Sequence, residues 1–267
     1  MPLTCPEVLV WCVATSQPPG VTVTGVADRV GEVVAVVLAG GSGSRLGAPQ
    51  NKVYLPLAGR PVLSWSLRAF LSCPDVDRVV LVARPSDRDR ADEAIALAGE
   101  PGSPPRIDVI AGGANRHDSE WSALSHLAEG IRAGRTEVVL IHDGARPLVR
   151  SDLISAVIGA ARETGSAVPG VAVDGVVQRD ENGRLRTVGP PGRLVRVQTP
   201  QGFLAGPLLA AYERADVDGF AGTDTAASVE RYAGQRVRIV PGDPRNLKIT
   251  YPPDLVLAER LLTARGR

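Results

Sequence analysis

The sequence predicts an α/β fold: a mostly parallel sheet with helices on both faces and a β-arm projecting from it. Three observations carry this expectation. Short runs of β-branched and aliphatic residues recur along the chain, apolar throughout rather than at every second position, as strands buried on both faces are. Stretches with helical apolar spacing stand between those runs. One polar stretch interrupts the alternation and contains the hairpin dipeptide Asn182-Gly183.

Taken in order, residues 1–31 read as an N-terminal extension, expected to be poorly ordered. They lack a sustained period and contain the breaker Pro18-Pro19-Gly20. A single domain is expected over 32–267. It opens with Val33-Val34-Ala35-Val36-Val37-Leu38, a β-branched run ending in Gly40-Gly41. Further strands are expected at 78–83, 107–110, 137–142 and 167–173, with helices at 62–71, 87–98, 118–131 and 151–164 between them. The polar stretch 174–197 is flanked by Val176-Val177 and by Leu194 and Val197. It reads as the arm, and an exposed hairpin carrying those apolar residues needs a surface to cover it, which predicts a homodimer exchanging arms. Helices resume at 207–214 and 224–232, and a strand at 237–240 and a terminal helix from Pro253 complete the pattern.

Composition excludes several classes of function. Basic and acidic residues balance, 30 against 29, so no net field draws in nucleic acid or an anionic membrane surface. No apolar run approaches the roughly 20 residues that span a bilayer. Cys5, Cys12 and Cys73 form neither a disulfide framework nor a Cys-x-x-Cys pair, which suits a reducing cytoplasm. His117, His126 and His142 are the only histidines, too few for a His-rich zinc site, and they read as structural. One imbalance remains. Of the 30 basic residues 28 are Arg, and the only lysines are Lys52 and Lys248. These two positions are candidates for work that a compact ammonium does and a planar guanidinium does not.

The loop after the first strand, Ala39-Gly40-Gly41-Ser42-Gly43-Ser44-Arg45-Leu46-Gly47, stands where open α/β sheets bind ligands. Its glycines let backbone N–H groups approach phosphates. It lacks the third glycine of a dinucleotide fingerprint and the Gly-Lys-Ser/Thr of a Walker loop. Arg45, with Lys52 seven positions on, gives two cations near one turn, which suits a triphosphate. Asp143 lies just past the strand expected at 137–142, where a metal-binding or ribose-binding carboxylate belongs.

Six ordered stretches carry a resemblance. They are Leu38 to Leu46 with Lys52-Val53-Tyr54-Leu55; Gly112-Gly113-Ala114-Asn115-Arg116-His117-Asp118-Ser119; Ile141-His142-Asp143-Gly144-Ala145-Arg146-Pro147; Gln198-Thr199-Pro200-Gln201-Gly202-Phe203; Thr223-Asp224; and Asn246-Leu247-Lys248-Ile249-Thr250. Over about residues 32–265 the chain resembles the 2-C-methyl-D-erythritol 4-phosphate cytidylyltransferase family, sugar-phosphate nucleotidylyltransferases with a Rossmann-like sheet. The resemblance implies attack of a polyol phosphate on the α-phosphate of CTP, with Mg²⁺ as divalent cofactor and release of pyrophosphate. It implies that Arg45, Lys52 and Lys248 surround the triphosphate as catalytic cations. Ala39, Gly40, Gly41, Gly43, Gly113, Ala114, Ser119 and Asp143 would bind CTP, with Asp143 also at the metal. Arg146, Thr199, Thr223 and Asp224 match positions on the acceptor substrate, and Arg116 is a further arginine able to pair with phosphate. A phosphate nucleophile is largely dianionic at neutral pH, its second pKa being about 6, so the absence of a serine elbow or Cys/His dyad fits.

Three positions depart from the family pattern. Gly175 stands where a threonine from the partner's arm contacts the acceptor phosphate, Pro191 stands where the arm carries an arginine, and Asn51 replaces a proline before Lys52. The first two fall on the acceptor side. They keep open another polyol phosphate acceptor such as ribitol 5-phosphate. A non-catalytic nucleotide-binding paralogue is the alternative of another class, and the presence of all three catalytic cations weighs against it.

Overall fold

A computed structural model describes residues 10–12, 31–41, 51–99, 107–173, 177–179, 182, 184–187, 194–220, 222, 225–234 and 236–265. The sheet is organised around β2 (Glu32–Leu38), whose alternate side chains enter two different cores. Val33, Ala35 and Val37 pack into one, Val34 and Val36 into the other. An uninterrupted apolar run demands this, because successive residues of a strand point to opposite faces. A short hairpin, β3 (Pro56–Leu57) and β4 (Arg60–Pro61), precedes α1 (Val62–Leu71). β5 (Arg78–Ala83) pairs with β2 in parallel, and β6 (Ile107–Ala111) pairs with β5 in parallel. β7 (Thr136–Asp143) takes the other side of β2, again in parallel.

Helices cover both faces, as expected. α1, α2 (Arg88–Ala98) and α4 (Ser151–Thr164) close the first core. α3 (Arg116–Arg132), α5 (Ala205–Val217) and α6 (Thr225–Ala233) close the second. α7 (Pro252–Arg265) contributes Ala258 to a third cluster with Leu57, Val62, Leu148 and Ile249.

Beyond β7 the sheet becomes mixed. β12 (Gln201–Leu204) lies antiparallel to both β7 and β8 (Ser166–Ala172). β11 (Leu194–Val197) runs antiparallel along the C-terminal half of β8, and β13 (Arg238–Pro241) pairs with β8 in parallel. Of the extension, β1 (Val10–Cys12) borders β11, a pairing that its short, breaker-flanked sequence does not announce. Only β11 and β12 oppose the common strand direction of this nine-stranded sheet.

The stretch expected to form one arm is divided. β9 (Val177–Arg179) and β10 (Leu185–Thr187) make a separate two-stranded sheet. β11 instead belongs to the main sheet, and its Leu194, Val195 and Val197 are buried there. Leu194 and Val197 therefore need no partner subunit to cover them, which corrects that part of the dimer expectation. β12 has no counterpart in the sequence pattern. It is only four residues long, and its second position is Gly202, where an added Cβ would meet Val157 Cγ1 at 2.8 Å and Leu140 Cδ2 at 3.1 Å. The close packing that admits only glycine removes the side chain that would have marked a strand.

The order β6-β5-β2-β7 sets the position of the site. From β2 the chain moves outward through β5 and β6, then returns to β7 on the opposite side. Loops leaving the C-terminal ends of β2 and β7 diverge, and the crevice between them is the switch point where such sheets bind ligands.

Candidate active site

At that switch point lies a cavity of about 420 Å³. Gly40 and Gly41 border it after β2, Asp143 and Gly144 after β7, and Gly113, Ala114 and Ser119 at the start of α3. Lys52 and Lys248, the chain's only lysines, both line it. The structure thus brings together from distant sequence the two ammonium groups singled out by composition. Ala39 is buried at the end of β2 with its N–H donating to Val82 O. Gly43, Arg45, Thr223 and Asp224 lie outside the described residues.

Each wall has a local cause. Asn51 holds Lys52: its amide Nδ2 donates to Ala39 O at 2.5 Å, and its Oδ1 accepts from Val53 N at 3.4 Å, capping the 3₁₀ turn Lys52–Tyr54. An asparagine here does by hydrogen bonding what a proline does by fixing φ. Asn115 caps α3 by accepting from Asp118 N. Ser119 accepts from Gly113 N at 3.2 Å and donates to Asn115 O at 2.8 Å, so its hydroxyl holds the turn as well as lining the cavity. At Gly113 an added Cβ would fall 2.2 Å from Asp118 Cβ, and at Gly144 2.9 Å from Leu38 O. Both glycines are required by close backbone approach.

Asp143 is the electrostatic centre. Arg116 Nη1 donates to its Oδ1, Lys248 Nζ stands 3.0 Å from Oδ2, and Arg146 Nε 3.5 Å from Oδ2. Burial alone raises a carboxyl pKa, but Lys248, Arg116 and Arg146 outweigh it and hold Asp143 well below the usual carboxylate range. Arg146 is pushed down by burial, against the pull of Asp143, and its Nη1 donates to Asn246 O at 2.9 Å. It sits behind the carboxylate rather than on the cavity wall.

Thr199, expected at the acceptor substrate, is also behind the wall. Its hydroxyl accepts from Asp143 N at 3.0 Å and stands 3.1 Å from His142 Nδ1. His142 is fully buried and burial pushes its pKa down to about 3, so its ring is neutral at pH 7. Since Nε2 faces the carbonyl of Arg146 at 3.2 Å, the ring proton belongs on Nε2 and Nδ1 accepts from Thr199. Asn246 Nδ2 donates to Thr199 O, and Ile249 N to Ala145 O. These bonds fasten the segment carrying Lys248 to the loop carrying Asp143.

Two contributors were not legible as site residues. Arg84, after β5, lines the cavity and donates from Nε to Gly40 O at 2.8 Å. Glu120, on α3, lies 2.8 Å from Arg116 Nε. Among the residues lining the cavity, Lys52, Arg84, Arg116 and Lys248 face a single carboxylate, Asp143. Such an excess of cations fits a polyanion of the size of a nucleoside triphosphate. No three His, Cys, Asp or Glu residues gather into a metal-binding group among the described residues, and one carboxylate suffices for a magnesium ion that takes its other ligands from phosphates and water.

The family model of 2-C-methyl-D-erythritol 4-phosphate cytidylyltransferase matches residues 33–264. A 2-C-methyl-D-erythritol 4-phosphate cytidylyltransferase of Symbiobacterium thermophilum is 40% identical over 236 residues, covering 88% of this chain and 94% of the relative. One from Cereibacter sphaeroides is 44% identical over 231 residues, covering 85% and 96%. Among solved structures, 4-diphosphocytidyl-2C-methyl-D-erythritol synthase of Anaerococcus prevotii superposes with a TM-score of 0.71 at 25% identity, covering 87% of this chain and 99% of that one. The Thermus thermophilus cytidylyltransferase does so with a TM-score of 0.65 at 32% identity, covering 87% and 99%. With its fold, its ordered motifs and a match over most of its length in agreement, the chain belongs to the 2-C-methyl-D-erythritol 4-phosphate cytidylyltransferase family.

Proposed function

We propose that this protein transfers a cytidylyl group from CTP to 2-C-methyl-D-erythritol 4-phosphate, in isoprenoid precursor synthesis. The observation that carries the reading is the meeting of Lys52, Lys248 and Asp143 in one cationic cavity at the switch point of the sheet. A phosphate oxygen of the acceptor attacks the α-phosphorus of CTP, the bond to the β-phosphate oxygen breaks, and pyrophosphate leaves. The dianionic nucleophile needs no base. What remains is to draw two anions together and to stabilise charge on the transferring phosphoryl group, which Lys52, Lys248 and Arg45 supply. The backbone at Gly40, Gly41 and Gly113, with Ala39, Gly43, Ala114 and Ser119, holds the nucleotide. Asp143 holds the divalent cation, Mg²⁺, which when bound offsets triphosphate charge. Arg146 and Thr199 act from behind Asp143, and Thr223 and Asp224 are assigned to the acceptor.

We assign the active form as a homodimer. β9 and β10 pair only with each other among the described strands, and an isolated two-stranded hairpin is marginally stable unless something covers it. No helix among the described residues is long and apolar enough to cross a membrane, and we place the enzyme in the cytoplasm, acting on small molecules only. The test is pyrophosphate release from CTP with 2-C-methyl-D-erythritol 4-phosphate and, in parallel, ribitol 5-phosphate. Turnover with the first is expected. Turnover with the second alone reassigns the acceptor, as Gly175 would permit, and CTP binding without any turnover sinks the enzymatic reading.

A further inference from the structure

Glu120 stands in the second turn of α3 and is 1% exposed. A buried carboxylate needs donors or cations around it, and groups from three different elements reach Glu120: two hydroxyls that donate to it and a guanidinium that lies beside it. The phenol of Tyr212, on α5, donates to Oε2. The hydroxyl of Thr225, the first residue of α6, donates to Oε1 at 2.9 Å. Arg116 Nε, one turn earlier on α3, lies 2.8 Å from the same oxygen. Burial first, and then Glu120, raise the Tyr212 pKa well above its ordinary value, so the phenol remains a donor.

Helix packing does not require this arrangement. α3, α5 and α6 already pack through buried apolar residues such as Leu124, Leu208 and Val229, and replacing a buried ionic cluster by apolar residues is often neutral or stabilising. The cluster does, however, make a junction. Through Arg116 one branch reaches Asp143 Oδ1, while Oδ2 pairs with Lys248 on the cavity side and with Arg146 behind it. Through Thr225 the other branch reaches the residue immediately after Thr223 and Asp224.

We propose that Glu120 is a positioning residue of the nucleotide site. It fixes the Arg116 guanidinium against one oxygen of Asp143, and through Thr225 it ties the start of α6 to the same anchor. The proposal rests on the reading of this cavity as the CTP site, and deepens it by coupling the nucleotide side to the acceptor side.

The test uses CTP with Mg²⁺ and no acceptor, titrated calorimetrically into the wild type, E120Q, R116Q and the double variant. E120Q and R116Q are each expected to weaken CTP binding by about tenfold. The double variant should bind no worse than R116Q, because both changes remove one and the same constraint. It also leaves no buried charge unpaired, so its comparison with R116Q decides the matter even if E120Q alone does not fold. A wild-type dissociation constant in E120Q, or a double variant weaker than R116Q by the full single-variant factor, overturns the proposal. Thr225→Val adds a readout that a merely structural role does not move: a several-fold rise in the acceptor KM with the CTP dissociation constant within about twofold of wild type. A wild type that binds CTP but turns over no acceptor defeats the proposed reaction, while the binding comparison still settles the role of Glu120.

Discussion

The difference between Lys and Arg is most consequential at two positions. Lys52 and Lys248 share one cavity in a chain that otherwise uses Arg for every positive side chain. A longer, planar guanidinium keeps the charge and changes where it sits, and a misplacement of about 1 Å near reacting atoms costs roughly a hundredfold. Lys52→Arg and Lys248→Arg are therefore each expected to lower kcat by about that factor, with unfolding free energy within about 0.5 kcal/mol of wild type; steady-state kinetics and urea titration check the two halves. His142 gives a second residue-scale expectation, in pH. Its folded-state pKa is lowered from 6.5 to about 3. Below pH 6.5 the unfolded chain takes up a proton there and the folded chain does not, so stability falls as pH falls, by up to about 1.4 kcal/mol per pH unit. Asp143 does not contribute in that window, since a depressed carboxyl pKa loses its stabilising effect only below its ordinary value of 3.8. Unfolding titrations from pH 7 to 4.5 should show a steeper loss for wild type than for His142→Asn. Equal slopes would remove His142 from the account. Lys52, Lys248 and Asp143 were legible in the sequence because their chemistry is rare or their place after a strand is telling. Arg84 and Glu120 were not, because an arginine after a strand and a glutamate on a helix are ordinary until their partners are seen.

At the scale of elements, the strands buried on both faces and their crossover helices were legible because continuous apolar runs and helical periods are strong local signals. β11 and β12 were not. Their identity depends on which neighbours lie alongside, and at Gly202 the neighbours leave no room for a side chain. The same dependence operates where β6 hands over to α3. Gly113 has Asp118 Cβ and backbone within 3.1 Å of any added Cβ, so Gly113→Ala must displace the first turn of α3, which carries Arg116 and Ser119. An overpacking cost of about 1–3 kcal/mol is expected, together with weaker CTP binding. Unfolding and calorimetry on the same preparation measure both, and an alanine variant of full stability and affinity would show that the turn yields easily.

For the whole molecule, the sheet brings Gly40, Arg84, Gly113 and Asp143 to the cavity at or just past the C-terminal ends of β2, β5, β6 and β7, and Lys248 joins them from the segment between β13 and α7. Residues of one chain thus line this cavity, while the β9–β10 hairpin stands apart as its own sheet. With Leu194 and Val197 already buried in the main sheet, the case for a dimer rests on the hairpin alone. Sedimentation equilibrium is expected to give twice the chain mass. Replacement of 177–187 by a short turn should give half that value while CTP still binds, and a wild type that sediments as a monomer would refute the assignment.

The two lysines also make the protein its own reporter. Apart from the amino terminus, Lys52 and Lys248 are the only primary amines it carries, and both border one cavity. Reductive methylation with isotopically labelled formaldehyde should yield just two side-chain resonances. Each would follow ligand occupancy directly, without engineered probes, in a molecule whose other side chains are silent to the reagent.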